Sequence, residues 1–160
     1  MTSAISWLVQ PKAPEWLSGI GPLLLRLYLA QEFVQAGWLK LGNGFDAPDW
    51  FGQLHFPALI AWLPLQANWV IAGLGEMGFG LLLAVGLCSR MATIGLLFIT
   101  WVAVYTVHFD LGWAGWNQID TDMGQGYKVP LMLGLMLVLL LTHGPGQYAA
   151  DSWLARRLSR

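Results

Sequence analysis

Charge and cysteine are both scarce in this chain. Only 11% of its 160 residues are Asp, Glu, Lys or Arg, less than half of the roughly 25% found in ordinary soluble domains. The formal net charge is −1, and no basic cluster offers a footprint for nucleic acid. Cys88 is the single cysteine, which excludes an intrachain disulfide, a CxxC redox pair and a thiolate zinc site. It reads as a small apolar residue near a helix end. The first 18 residues lack the basic start and continuous apolar core of a secretory signal and carry Pro11 and Pro14, so insertion is expected to use the first true span. The set Asp46, Asp49 and His55 fits no metal motif. His108 and His143 fall near opposite ends of their runs and make no haem ligand pair. The fragment Gly73 to Gly78 imitates a phosphate-binding pattern, but it lies inside an apolar run.

What the chain has in abundance is apolar surface, with 56% of residues hydrophobic. A soluble domain of this size has too high a surface-to-volume ratio to hide that much, whereas a bilayer solvates it. The pattern predicts an all-α integral membrane protein built as a four-helix bundle. Residues 1–19 form an interfacial N-terminal segment, residues 20–143 the four spans, and residues 144–160 an amphipathic tail.

The first run is Ile20–Leu41, long enough at about 1.5 Å per residue to cross a hydrocarbon core of roughly 30 Å. Pro22 suits its first turn, and Gly42, Asn43 and Gly44 end it. The second, residues 69–87, is rich in glycine. In water that argues against a helix; in lipid it lets helices approach closely. The third covers residues 91–108 and the fourth residues 127–142, short enough to need either extension before Tyr127 or little tilt. Only Cys88, Ser89 and Arg90 separate the second and third runs, so these form an antiparallel hairpin. The loop after the first run carries a short helix expected around Asp46 to Trp50 with an Asp cap, and an apolar patch at residues 56–65 expected at the membrane interface. Lys12, Arg90, Arg156, Arg157 and Arg160 fall on one side, and Asp46, Asp49, Asp110, Asp120 and Asp122 on the other. The positive-inside rule then places both termini in the cytoplasm.

Ionisable groups inside a span cost about 2.5–3.5 kcal/mol on insertion scales and usually turn inward to a partner. The first run carries Arg26 and Glu32, with Lys40 at its outer end; the second carries Glu76; the third ends in His108. Two readings stay open. In the structural one, Arg26 pairs with Glu76 or Glu32 to fix register, and Lys40 snorkels to the headgroups. In the functional one, Glu32 and Glu76 lie at similar depth and share a proton. They are then proton carriers for a quinone, in a pocket lined by Arg26, Lys40 and His108, with Tyr28, Phe33, Phe79 and Trp101 as ring walls. Ordinary packing accounts equally well for those aromatics.

Leu25-Arg26-Leu27 followed by Ala36-Gly37-Trp38-Leu39-Lys40-Leu41, then Glu76 with Gly80-Leu81-Leu82-Leu83 and Gly86-Leu87-Cys88-Ser89-Arg90, resembles the DoxX family of small four-span bacterial membrane proteins. Thr106-Val107-His108, Gly144-Pro145-Gly146 and Trp153-Leu154-Ala155-Arg156-Arg157 look closest to its HvfX-like branch. Gln31-Glu32 departs from the family, whose members tend to have proline after the alanine, so Glu32 is not carried over; Arg26, Lys40 and Glu76 are. The resemblance implies a membrane subunit working with a partner protein or as a homo-oligomer, in a quinone-linked redox or stress-related system. A non-enzymatic scaffold and a small transporter are the alternatives. The transporter is weakest, because no internal repeat is visible.

Overall fold

In a computed structural model, residues 14–42 and 44–158 are described. Asn43, Lys12, Arg160 and most of the expected N-terminal segment lie outside the described residues. Helix α1 is a single turn, Glu15–Ser18, and α2 spans Ile20–Leu41, the full length of the first apolar run. Helix α3 spans Leu65–Val85, α4 Ser89–Thr106, α5 Lys128–His143 and α6 Ala150–Leu158. The loops carry two 3-10 turns, Asp49–Gln53 and Gly112–Asn117, and a minimal antiparallel ladder of β1, Asp120–Thr121, with β2, Gly124–Gln125.

Element ends follow local chemistry. Helix α3 begins before its apolar run, because Pro64 in an extended conformation opens a helix without needing its missing N–H. It ends in a Schellman turn. Gly86 sits at φ 76, its N–H reaches Leu83 O at 3.1 Å, and the Leu87 N–H reaches Leu82 O at 3.0 Å. The turn expected around Asp46 starts later, at Asp49, with Pro48 before it and no side-chain cap. Helix α5 does not extend upstream of Tyr127. There the backbone pairs with the preceding loop instead, Tyr127 N–H to Gly115 O at 3.0 Å and Lys128 N–H to Gln118 O at 3.1 Å.

Helix α2 packs on α3, α3 on α4, α4 on α5, and α5 returns to α2. Their shared core is Leu29, Phe33, Leu83, Leu96, Leu137 and Leu140. The α2–α3 contact is close because glycines face it. A Cβ on Gly37 would stand 2.5 Å from Gly73 O and 2.6 Å from Met77 Cγ, so any side chain there drives the helices apart. Helices α3 and α4 are each long and apolar enough to cross a membrane, and α5 is an apolar but shorter helix. Their outward faces leave large hydrophobic side chains such as Leu74, Leu81, Ile94 and Leu135 exposed.

At the lower end, where α3 turns into α4, the C-terminal helix is latched onto the hairpin. The Asp151 carboxylate accepts hydrogen bonds from the Cys88 and Ser89 N–H groups, both at 2.8 Å, and the Asp151 N–H donates to Gly86 O at 2.9 Å. These are the orphan donors at the start of α4, satisfied from a distant part of the chain. Burial alone would raise the Asp151 carboxyl, but the hydrogen bonds from Ser89 and Cys88, with the Arg26 charge, outweigh it and hold the pKa below the ordinary aspartate value. A depressed carboxyl contributes stability that is complete above its unfolded pKa, about 4, and is lost as pH falls through the lower folded value. Asp151→Ala is therefore expected to cost about 1 kcal/mol near neutral pH and to flatten the acid limb of stability. Thermal unfolding in detergent from about pH 2 to about pH 7, which brackets the carboxyl, checks it; an unchanged acid limb refutes the latch.

Candidate functional site

The upper end, where α2 ends and α3 begins, holds a buried ion pair. Lys40 Nζ lies 2.9 and 2.8 Å from the two carboxylate oxygens of Glu76. The Glu76 side chain is 7% exposed and that of Lys40 28%. Helical side chains lean toward the N-terminus. Lys40 is near the C-terminus of α2, so it leans down into the protein, not out toward the end. The backbone nearby is pinned by Trp69, whose indole N–H donates to Lys40 O at 3.2 Å.

Glu76 and Lys40 form a polar patch in the wall of a cleft of about 1120 Å³ between α3 and α4, and His108 lies at the same cleft just past the end of α4. The remaining wall is largely apolar and includes Phe51, Phe79 and Phe98. The upper end of the cleft is lined by an aromatic cluster. Phe51 is buried and meets Trp69, Phe56 and Trp50 edge-on, with ring centroids 4.9, 5.1 and 5.8 Å away. The buried Asn68 amide ties the loop down by donating to Ile60 O at 3.2 Å.

Of the residues expected at a pocket, Lys40, Glu76 and His108 come together, with Phe79 beside them. The others stand elsewhere. Arg26 is fully buried at the lower end and pairs with neither glutamate. Its guanidinium donates to Leu83 O at 3.2 Å, Ala84 O at 3.4 Å and Tyr148 O at 3.3 Å. It is a cation placed on the carbonyls that end α3, where the helix dipole favours positive charge. Glu32 does not join Glu76. At about 100° per residue it lies about 120° around α2 from the buried stripe of Arg26, Leu29, Ala30, Phe33 and Gly37. The expected carboxylate pair is thus replaced by a carboxylate–ammonium pair. Tyr28 is exposed and Phe33 sits in the core. Trp101 lines a second cleft, of about 750 Å³, together with His55, Tyr105, Phe109, Asp110 and Trp113.

Two features escaped the sequence reading. Phe51 carried no signal beyond being one aromatic among many in a loop. Asp151 lies in the stretch read only as an amphipathic tail, and its docking reveals it as a cap. Among the described residues no group of three His, Cys, Asp or Glu is placed to hold a metal ion.

Comparison with known proteins bears on the same region. A family model described as DoxX matches residues 21–109, a span that contains Arg26, Lys40, Glu76 and His108 and stops short of α5. An uncharacterized protein of Haemophilus influenzae is 33% identical over 141 residues, covering 87% of this chain and 86% of the relative. No solved structure matches the chain.

Proposed function

The chain belongs to the DoxX family of membrane proteins, and from that premise we propose that it is the membrane subunit of a quinone-linked redox system, holding a quinone headgroup against Lys40 and Glu76. It crosses a bacterial inner membrane four times, through α2, α3, α4 and α5, with both termini on the cytoplasmic face, and a partner protein supplies the electrons. The observation that carries this reading is the buried Lys40–Glu76 pair set in an otherwise apolar cleft. Intramembrane charge is costly enough that its place on a cavity wall, instead of within helix packing, points to a ligand.

The residues present fit such a group. Phe79 and Phe98 offer flat apolar walls, and the volume lies a little above the roughly 300–1,000 Å³ usual for ligand pockets, which leaves room for a tailed ligand. A quinone, when bound, supplies a two-electron acceptor whose carbonyl oxygens take up protons. Lys40 then acts as hydrogen-bond donor to a carbonyl oxygen. Glu76 holds and passes a proton at its carboxyl. His108, within electrostatic reach of both Lys40 and Asp110, exchanges protons between Glu76 and the outer face. Arg26 fixes helix ends and takes no part in binding.

The likeness to the HvfX-like branch rests on Thr106-Val107-His108 and on tail motifs beyond residue 109, where the family match ends. A companion role to a system for small metal-binding peptides is the reading those motifs favour.

Glu76→Gln tests the proposal. Purified protein in lipid, titrated with a ubiquinone analogue, is expected to bind at least about tenfold more weakly after the substitution, a loss of about 1.4 kcal/mol. Its abundance in the membrane stays near that of the parent. If abundance falls together with cellular activity while purified protein binds the analogue unchanged, the ion pair is structural and the scaffold reading replaces this one.

A further inference from the structure

The cleft that holds Glu76 is walled differently toward the loops and toward its side. Toward the loops, the buried Phe51 ring is wedged among Trp50, Phe56 and Trp69, with the Asn68–Ile60 tie behind it, an aromatic and partly polar end in which Trp50 stands 51% exposed. The side is different. Ile71 and Leu74 on α3 and Ile94 and Phe98 on α4 all line the cleft, yet they are 57%, 54%, 51% and 39% exposed. A residue that lines a cavity while standing half in the open marks the cavity's rim. Every one of these rim residues is apolar, and they belong to the two helices long and apolar enough to cross a membrane. The antiparallel α3–α4 hairpin puts Phe98 at roughly the level of Glu76, so the rim flanks the ion pair instead of lying above it.

We propose that the cleft opens sideways between α3 and α4 into the hydrocarbon of the bilayer, and that its ligand arrives from the membrane, head first. The ligand has a compact hydrogen-bonding head and a long apolar tail, and the tail stays between Leu74, Ile94 and Phe98. The inference rests on the membrane-spanning reading above and names the class of quinone it implies: tailed and lipid-dissolved. The chemistry is complementary along the cleft. Its floor offers one ammonium–carboxylate pair to a polar head, and its mouth offers only hydrocarbon to whatever follows.

Carbene labelling of the full chain in liposomes tests this. An apolar diazirine dissolved in the bilayer is photolysed, insertion is read residue by residue by mass spectrometry, and a charged, water-soluble diazirine is run in parallel. Glu76 and Ala72 on the cleft wall are expected to be labelled by the apolar reagent at least about tenfold more than by the charged one. The pair Leu74→Trp and Ile94→Trp, which fills the rim, is expected to cut that labelling at least about fivefold while leaving exposed Leu139 on α5 unchanged. Leu74→Phe with Ile94→Phe serves if the tryptophan pair does not accumulate. Equal labelling of Glu76 by the charged reagent, or no effect of filling the rim, overturns the proposal. A tailed ubiquinone analogue is expected to protect Glu76. If it does not, while the bilayer reagent still reaches Glu76 and the rim still gates it, the quinone reading fails and the sideways entrance stands.

Discussion

Lys40→Met is expected to destabilise the protein by about 3 kcal/mol, and Lys40→Met combined with Glu76→Gln to recover most of that loss. Lys40 contacts both oxygens of a carboxylate that is 7% exposed. Removing the ammonium takes from Glu76 the Lys40 charge that both its oxygens contact, and breaking a buried pair from one side costs about 3–5 kcal/mol because the remaining charge is uncompensated. The lower figure applies because Lys40 itself is 28% exposed, so the site is not fully sealed. Glu76→Gln alone is milder, since a long Lys stem can swing its charge toward the open end. In the double variant two apolar or neutral side chains of similar volume replace the pair, and such replacements are often neutral or stabilising. Unfolding of the purified proteins in detergent gives all four stabilities and closes the cycle. A double variant no better than Lys40→Met alone means that the two side chains do not depend on one another.

The fold was largely legible in the sequence, because apolar runs bounded by turn residues leave few choices. Ile20–Leu41 emerged as predicted down to its ends, and the Cys88–Arg90 break forced the hairpin. Offsets arose where a local rule outranked hydropathy. Pro64 started α3 early, and backbone pairing of Tyr127 and Lys128 with the preceding loop held back the start of α5. The site was legible only in part. Cost arguments picked out Arg26 and Glu76, which are buried, but also Glu32, which stands off the buried stripe, and they cannot say which charge meets which. Depth alone suggested that Glu32 and Glu76 are neighbours. Azimuth around α2 decides otherwise, because Lys40 lies on the buried stripe and Glu32 does not. The lean of a helical side chain toward its N-terminus was the available signal for Lys40, since it turns a residue at the end of α2 back toward Glu76. Asp151 had no such signal. Its partners, the N–H groups of Cys88 and Ser89, are more than sixty positions away, and nothing local marks a carboxylate on α6 as the cap of α4.

The lower end yields the second large effect, and it separates holding the fold together from binding a ligand. Arg26→Ala is expected to cost about 3 kcal/mol of stability and to leave quinone-analogue affinity per folded molecule unchanged. Three carbonyls on two separate segments, Leu83 and Ala84 ending α3 and Tyr148 before α6, converge on its guanidinium. The group is fully buried, so water cannot replace it, and hydrogen bonds to a charged donor are each worth about 1.5–3 kcal/mol. Their length, 3.2–3.4 Å, lies at or beyond the usual limit for N–H···O bonds, so each falls below that range, at under about 1 kcal/mol, and the cavity left by truncation makes up the rest of the total. Arg26→Lys keeps the charge near the α3 carbonyls but offers one compact ammonium where a planar fork spans two segments, so it is expected to recover less than half of the loss. Arg26→Met keeps the volume and abandons the carbonyls, which sets the polar share of the cost apart from the packing share. Because Arg26 sits at the far end of α2 from Lys40, about 21 Å along the axis at about 1.5 Å per residue, its removal loosens the latch at Asp151 without reaching the cleft. A loss of ligand affinity that persists after correction for the folded fraction returns Arg26 to the binding site and removes the division between the two ends.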